Sequence, residues 1–357
     1  MSPLKILLLP FSWMYGWGVR IRHWLFNIGI LKSESFEIPL IGVGNLSLGG
    51  TGKTPTVEYL IRLLIGEFNI ATLSRGYGRT TRGFLIANQF STYGEIGDEP
   101  LQYFKKYVKA SNITIAVDEN RRRGIQHLIG NNKSLEVILL DDAIQHRYVK
   151  PGFTILLTDF HKLYKNDYLL PAGTLRDTVS VAKNADVIIV TKTPKVLSPI
   201  TRDNINELLK PAQYQKLYYS YITYGDFVAL PTTEDINLPE SINTILLFSG
   251  IANSYPLQEH LRDKCSELIV IDFADHHAYT QKDLQKIRKV FDDVFSKKKI
   301  VVTTEKDAMR LMNSPYLSEL KFLPVYCVPI EIEMHEQDKQ EFNDQILNYV
   351  RKNRRNS

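Results

Sequence analysis

The residues with the clearest chemical meaning lie in Gly44-Asn45-Leu46-Ser47-Leu48-Gly49-Gly50-Thr51-Gly52-Lys53-Thr54-Pro55. Backbone N–H groups of Gly49, Gly50, Thr51 and Gly52 can face phosphate oxygens, Lys53 adds a point charge, and Thr54 offers a hydroxyl for Mg²⁺. One letter departs from G-x-x-x-x-G-K-[ST], because Ser47 stands at the first glycine. Asp141-Asp142 closes the apolar run 135–140, where a carboxylate can hold Mg²⁺ or its waters beside the threonine of such a loop. Together the two signals point to Mg-nucleotide binding. No Asn-Lys-x-Asp guanine reader occurs, since Thr191-Lys192-Thr193-Pro194 lacks the aspartate, and this favours ATP over GTP.

Phosphoryl transfer to a hydroxyl also needs a proton acceptor and positive charge for the phosphoryl oxygens. Asp98 opens a helix after a polar loop, so its carboxylate can be that base or simply the helix N-cap. In the second half of the chain, Asp272-Phe273-Ala274-Asp275-His276-His277 closes a strand and can turn an imidazole toward the nucleotide loop. No third ligand is spaced to make the paired histidines a metal site. Thr303-Thr304-Glu305-Lys306-Asp307 closes the next strand and offers polar groups at the same edge. Arg75, Arg79 and Arg121 follow strand ends, where they can bind an anion or form surface ion pairs.

Positioning these groups requires strands that end together. The pattern predicts strands near 37–43, 69–74, 113–117, 135–140, 153–158 and 186–191, with helices near 57–64, 101–108 and 119–128. Such alternation means an α/β fold, a P-loop NTPase-like doubly wound parallel sheet whose ligands sit at the carboxyl ends of the strands. The segments 214–224 and 227–230, split by Gly225-Asp226, read as a two-stranded β ribbon, and 234–240 as a polar linker. The βα alternation resumes from Asn243, giving a second, smaller α/β domain. The expected division is an N-terminal helix over 1–30, a P-loop domain over 31–213, a ribbon linker over 214–240 and the smaller domain over 241–357. The cleft between the two domains is the natural site.

The 357 residues carry a net charge of +5, a mild excess that suits an anionic partner without singling out nucleic acid. Two cysteines without metal-ligand spacing suit a reducing cytoplasm. All three tryptophans, Trp13, Trp17 and Trp24, fall near the N-terminus. Helical geometry places them within roughly 40° of one another. The uncharged run 6–19 holds Pro10, Gly16 and Gly18 and is shorter than the ~20 residues of a spanning helix. Tryptophans, aliphatics and flanking arginines describe a segment lying in a membrane interface, the other placement being a helix docked on the protein's own core.

With these residues in view, the chain resembles the tetraacyldisaccharide 4'-kinase family across nearly its whole length. The resemblance rests on Leu9-Pro10-Phe11-Ser12-Trp13-Met14-Tyr15-Gly16, the loop 44–55, Ser74-Arg75-Gly76-Tyr77-Gly78-Arg79 and Gly97-Asp98-Glu99-Pro100. It continues through Leu140-Asp141-Asp142-Ala143-Ile144-Gln145-His146-Arg147, Leu170-Pro171-Ala172-Gly173-Thr174-Leu175-Arg176, Asp275-His276-His277 and Thr304-Glu305-Lys306-Asp307. It implies an ATP- and Mg²⁺-dependent kinase that phosphorylates the 4'-hydroxyl of tetraacyldisaccharide 1-phosphate, giving lipid IVA. A P-loop kinase or ATPase acting on a soluble small molecule is the alternative. The resemblance further implies Asp98 as catalytic base aided by His276, Lys53 on the ATP phosphates, and Thr54, Asp141, Asp142 and Glu99 around Mg²⁺. Arg75, Tyr77, Arg121, Gln145, His146 and Arg176 are implied in contact with the glycolipid. The expected setting is peripheral, at the cytoplasmic face of the bacterial inner membrane, as a monomer that binds no nucleic acid.

Overall fold

The computed structural model describes residues 3–233, 238–275, 277–312 and 314–354. Position 276, expected to aid catalysis, and 234–237 of the expected linker lie outside the described residues. Eight strands lead the chain: β1 (Leu40–Asn45), β2 (Ile70–Ser74), β3 (Leu85–Ile86), β4 (Ile113–Val117), β5 (Val137–Asp141), β6 (Phe153–Asp159), β7 (Val187–Thr191) and β8 (Lys216–Tyr224). Five more form a second sheet: β9 (Val228–Ala229), β10 (Thr244–Ser249), β11 (Glu267–Asp272), β12 (Lys299–Thr304) and β13 (Val325–Val328). The last strand, β14 (Ile330–Met334), returns to the first sheet.

The large sheet runs β14-β8-β7-β6-β1-β5-β2-β4-β3. Only β3 and β14, its edges, pair antiparallel. Strands β1, β2, β5 and β7 are buried end to end, which is why they read as continuous apolar runs rather than alternating ones. Strand β1 pairs with both β5 and β6, while the chain leaving β1 travels through the helix Lys53–Leu64 to β2, two places away. A crevice therefore opens at the carboxyl end of β1, between the loop 46–52 and the end of β5. The smaller sheet runs β11-β10-β12-β13-β9, all parallel except β9.

Two connections differ from the expected ones. Segments 214–224 and 227–230 do not pair with each other: β8 lies between β7 and β14, whereas β9 lies on β13. A two-stranded ribbon does join the sheets, but its second strand is 330–334, with Tyr224 opposite Ile330 and Gly225 N donating to Pro329 O at 2.9 Å. Sequence distance hid this pairing, because Gly225-Asp226 looks like a hairpin turn. The helix Glu336–Asn353, expected in the smaller domain, packs on the large sheet. Its Phe342 ring lies 5.4 Å from Tyr218 and 6.0 Å from Tyr59, and Asn343 accepts from Tyr59 Oη at 2.8 Å.

The helix Pro3–Asn27 has two unlike faces. On one, Ser12 Oγ donates to Leu169 O at 2.9 Å and accepts from Ala172 N, Tyr15 Oη donates to Arg176 O, and His23 Nε2 meets Asp177 at 2.6 Å. On the other, Trp13, Trp17 and Trp24 are 74%, 59% and 58% exposed. The helix thus docks on the protein and leaves an apolar face uncovered. Among the described residues no helix is long and apolar enough to cross a membrane.

Candidate active site

The glycine loop turns where its sequence permits. Gly49 (φ +103°) and Gly52 (φ +84°) take left-handed conformations that a side chain disfavours, and Gly52 caps the helix that Lys53 begins. Lys53 Nζ lies 3.1 Å from Asn45 Oδ1 and 3.6 Å from Asp142. Asn45, the last residue of β1, is a fully buried polar residue that sequence reading passed over. Its side chain donates to Ser47 O and accepts from Arg176, which ties strand, loop and distal arginine together.

The two aspartates after β5 differ sharply. Asp141 is buried; one carboxylate oxygen accepts from Tyr103 Oη at 3.1 Å, and the other is buried with no hydrogen-bond partner among the described residues. Burial, followed by the nearby Glu99 charge, pushes its carboxyl up to about 7. Asp142 adopts φ +52°, strained for a non-glycine residue, and Arg176 grips it with two bonds of 2.8 and 2.9 Å. Burial opposes its ionisation, but Arg176 and Lys53 hold its carboxyl well below the usual range.

Asp98 and Glu99 open the helix Asp98–Tyr107 after Gly97, whose φ is +92°. Glu99 Oε1 accepts from Thr54 Oγ1 at 2.9 Å and from Lys306 Nζ at 3.0 Å. Although burial would raise it, the Lys306 charge keeps the Glu99 carboxyl below its ordinary value. Asp98, buried, accepts from Arg310 Nη2 at 2.8 Å. Arg310 also donates to Asp307 at 2.9 Å and to Gly250 O at 3.0 Å. Lys306 and Arg310 stand four residues apart on the helix Glu305–Met312, so one face carries both cations to two consecutive acids across the sheets. Ala274 and His277, which flank position 276, border Gly250. His277 itself is occupied, with its ring stacked on Phe273 and its Nε2 3.0 Å from Asp283.

The residues expected on the glycolipid differ in burial and in partners. Arg121 is buried and donates to Asp141 O, and burial pulls its guanidinium down to about 10. Gln145 donates to Asn45 O at 2.6 Å while its own carbonyl receives Arg22 from the N-terminal helix. Burial and then the Arg121 charge push His146 down to about 4, leaving it neutral at pH 7. Arg75 and Tyr77 are exposed at the rim. Arg79, by contrast, is bonded to Glu119 and to Gly83 O, a structural role.

A model of the tetraacyldisaccharide-1-P 4'-kinase family matches residues 4–351. The chain belongs to that family. It is 45% identical to the tetraacyldisaccharide 4'-kinase of Bacteroides thetaiotaomicron over 98% of this chain and 94% of that one. It is 42% identical to the enzyme of that name from Flavobacterium johnsoniae over 99% of each. A crystal structure of LpxK from Aquifex aeolicus in complex with ATP superposes with a TM-score of 0.71 at 26% identity, covering 97% of this chain and 99% of that one. As a family member the protein is a kinase, using ATP to phosphorylate the 4'-hydroxyl of tetraacyldisaccharide 1-phosphate in lipid A biosynthesis. The soluble-substrate alternative falls with that membership.

Sequence reading missed Arg310, Asn45 and Tyr103. Arg310 carried a signal, since it lies one helical turn beyond Lys306 in the polar edge 303–307.

Proposed function

We propose that Asp98 is the base of this 4'-kinase and that Gly49–Thr54 cradle the ATP phosphates. One observation carries the reading: Glu99 shares an oxygen between the loop's Thr54 and Lys306 of the smaller sheet, while its neighbour Asp98 is fixed by Arg310. Asp98 takes the proton from the 4'-hydroxyl as that oxygen bonds to the γ-phosphorus; the bond to the β,γ-bridging oxygen breaks and ADP leaves. Lys53 lies where it can steady the phosphate oxygens. The donor set fits Mg²⁺. Asp141 offers a buried carboxylate oxygen that lacks a partner, with Thr54 and Glu99 beside it. Among the described residues no three His, Cys, Asp or Glu side chains are grouped as a metal site. When bound, Mg²⁺ neutralises phosphoryl charge. Asp142, held by Arg176 and near Lys53, orients those cations.

Arg121, Gln145 and Arg176, bonded to Asp141, Asn45 and Asp142 respectively, are proposed to hold the glycolipid together with His146, Arg75 and Tyr77. The exposed face of Trp13, Trp17 and Trp24 suits a headgroup layer, where the helix rests at the cytoplasmic face of the inner membrane. The two sheets are proposed to act as a P-loop domain and a smaller domain, with 330–354 belonging to the former.

Incubation with labelled ATP and the disaccharide 1-phosphate lipid tests the reading. Asp98→Asn is expected to lower kcat by about 10²–10⁴-fold with the KM for ATP little changed. Near-normal turnover in that variant removes Asp98 as base.

A further inference from the structure

We propose that Lys306 is a second phosphoryl-binding cation, delivered to the transferred group by the smaller sheet; the inference rests on the loop, Thr54 and Glu99 having the roles proposed above. The two cations of the helix Glu305–Met312 differ in freedom. Arg310 is only 6% exposed in its side chain and is fixed by Asp98, Asp307 and Gly250 O, so it can only orient. Lys306 is 30% exposed and is held at its tip by Glu99 Oε1 alone among the described residues. That oxygen also accepts from Thr54 Oγ1, the hydroxyl next to the loop lysine. The ammonium thus sits two hydrogen bonds from the nucleotide loop on a flexible four-carbon stem.

Charge decides where it goes. Lys306 and Mg²⁺ compete for one carboxylate. Thr54, Asp141 and Glu99 would hold a divalent ion, and with Glu99 so engaged Lys306 would be free to turn to the negative charge of the phosphoryl group. A cation supplied in cis by a second structural unit is worth most when negative charge spreads over the transferring phosphoryl, not in the ground state.

Binding measured with ADP alone and with ADP plus aluminium fluoride, which mimics the transferring phosphoryl, separates the roles. In Lys306→Met we expect ADP affinity within about threefold of wild type but a loss of about 10²-fold in the extra affinity conferred by aluminium fluoride, with kcat falling in parallel. Lys306→Arg should recover most of both. Lys306→Gln keeps a hydrogen bond to Glu99 without the charge and should behave like Lys306→Met; this variant answers if Lys306→Met does not fold. Retention of the aluminium fluoride increment in either uncharged variant overturns the proposal. So does an equal loss of ADP binding in both, which makes Lys306 a structural partner of Glu99. Normal ADP binding by Lys53→Ala instead overturns the loop assignment beneath it.

Discussion

Lys106→Met tests how the two sheets are held together. Lys106 Nζ lies 2.8 Å from Glu58, on the helix that follows the nucleotide loop, and 2.7 Å from Glu305, which opens the helix of the smaller unit. Gln102 bridges the same two carboxylates, and Glu305 also accepts from Ile330 N at 3.1 Å. Glu58 is fully buried, and burial pushes its carboxyl up to about 7 despite the Lys106 charge. The folded carboxyl therefore keeps its proton in a range where the unfolded one has lost it, and stability falls as pH rises through that window. Without Lys106 the folded carboxyl stays neutral to higher pH. Wild type and variant should then differ by a constant offset below about pH 6, from the lost Lys106–Glu305 pair, and diverge above pH 7. Linkage from the Glu58 value gives a further loss of about 0.8 kcal/mol near pH 7.5 and about 2 kcal/mol near pH 8.5. Thermal unfolding of the full chain reads this as a melting-point gap that widens by about 2 °C between pH 7 and 8.5. Adding Glu58→Gln should abolish the widening. A gap that is constant with pH, or one that Glu58→Gln leaves unchanged, refutes the electrostatic account of this junction.

Gly97→Ala should damage turnover more than nucleotide binding: a Cβ there would lie 2.9 Å from Tyr77 O and 3.2 Å from the Gly76 Cα, at φ +92°. Displacing Asp98 by the resulting shift is expected to cost about 10²-fold in kcat, and kcat within twofold of wild type (roughly) would show that the loop gives way freely. Trp13→Ala with Trp17→Ala removes two side chains from the uncovered helix face and should weaken binding to anionic vesicles by at least about tenfold. Activity on detergent-dispersed lipid should persist, and undiminished vesicle binding would argue that this face does not meet the membrane.

The sequence disclosed what is local. A glycine loop, its lysine and a buried run ending in two acids are contiguous, and parallel strands buried on both faces announce themselves as apolar runs. What depends on docking stayed hidden. Asp98 alone reads equally as base or cap, and its contact with Arg310, 212 residues away, distinguishes its surroundings from those of an ordinary helix start. The β8–β14 pairing was invisible because its two strands are separated by the entire smaller sheet. The opposite faces of the N-terminal helix were half legible. Its tryptophans showed the uncovered side, while Ser12 and Tyr15 gave no sign of their partners near 169–176.

The charges of the site tie the smaller sheet to the edge of the larger one. Asp142 is neutralised from within its own unit by Arg176, and Glu58, Glu99 and Asp98 by cations or shared carboxylate bridges that reach across to the helix Glu305–Met312. Separating the units strands Asp98 and Glu99 side by side, without Arg310 and Lys306. Uncompensated buried charge of this kind costs several kcal/mol, on the order of 3–5 per broken pair. Two routes reduce that cost: entry of water, or a cation that takes over one carboxylate. Water entry would promote hydrolysis, whereas on the proposed assignment Glu99 would pass from Lys306 to Mg²⁺ and leave Lys306 for the phosphoryl group. On that proposal the pairings that hold the units together would also make nucleotide loading the event that rearranges them, while Arg310, bonded to Asp98, Asp307 and Gly250 O, keeps Asp98 in place.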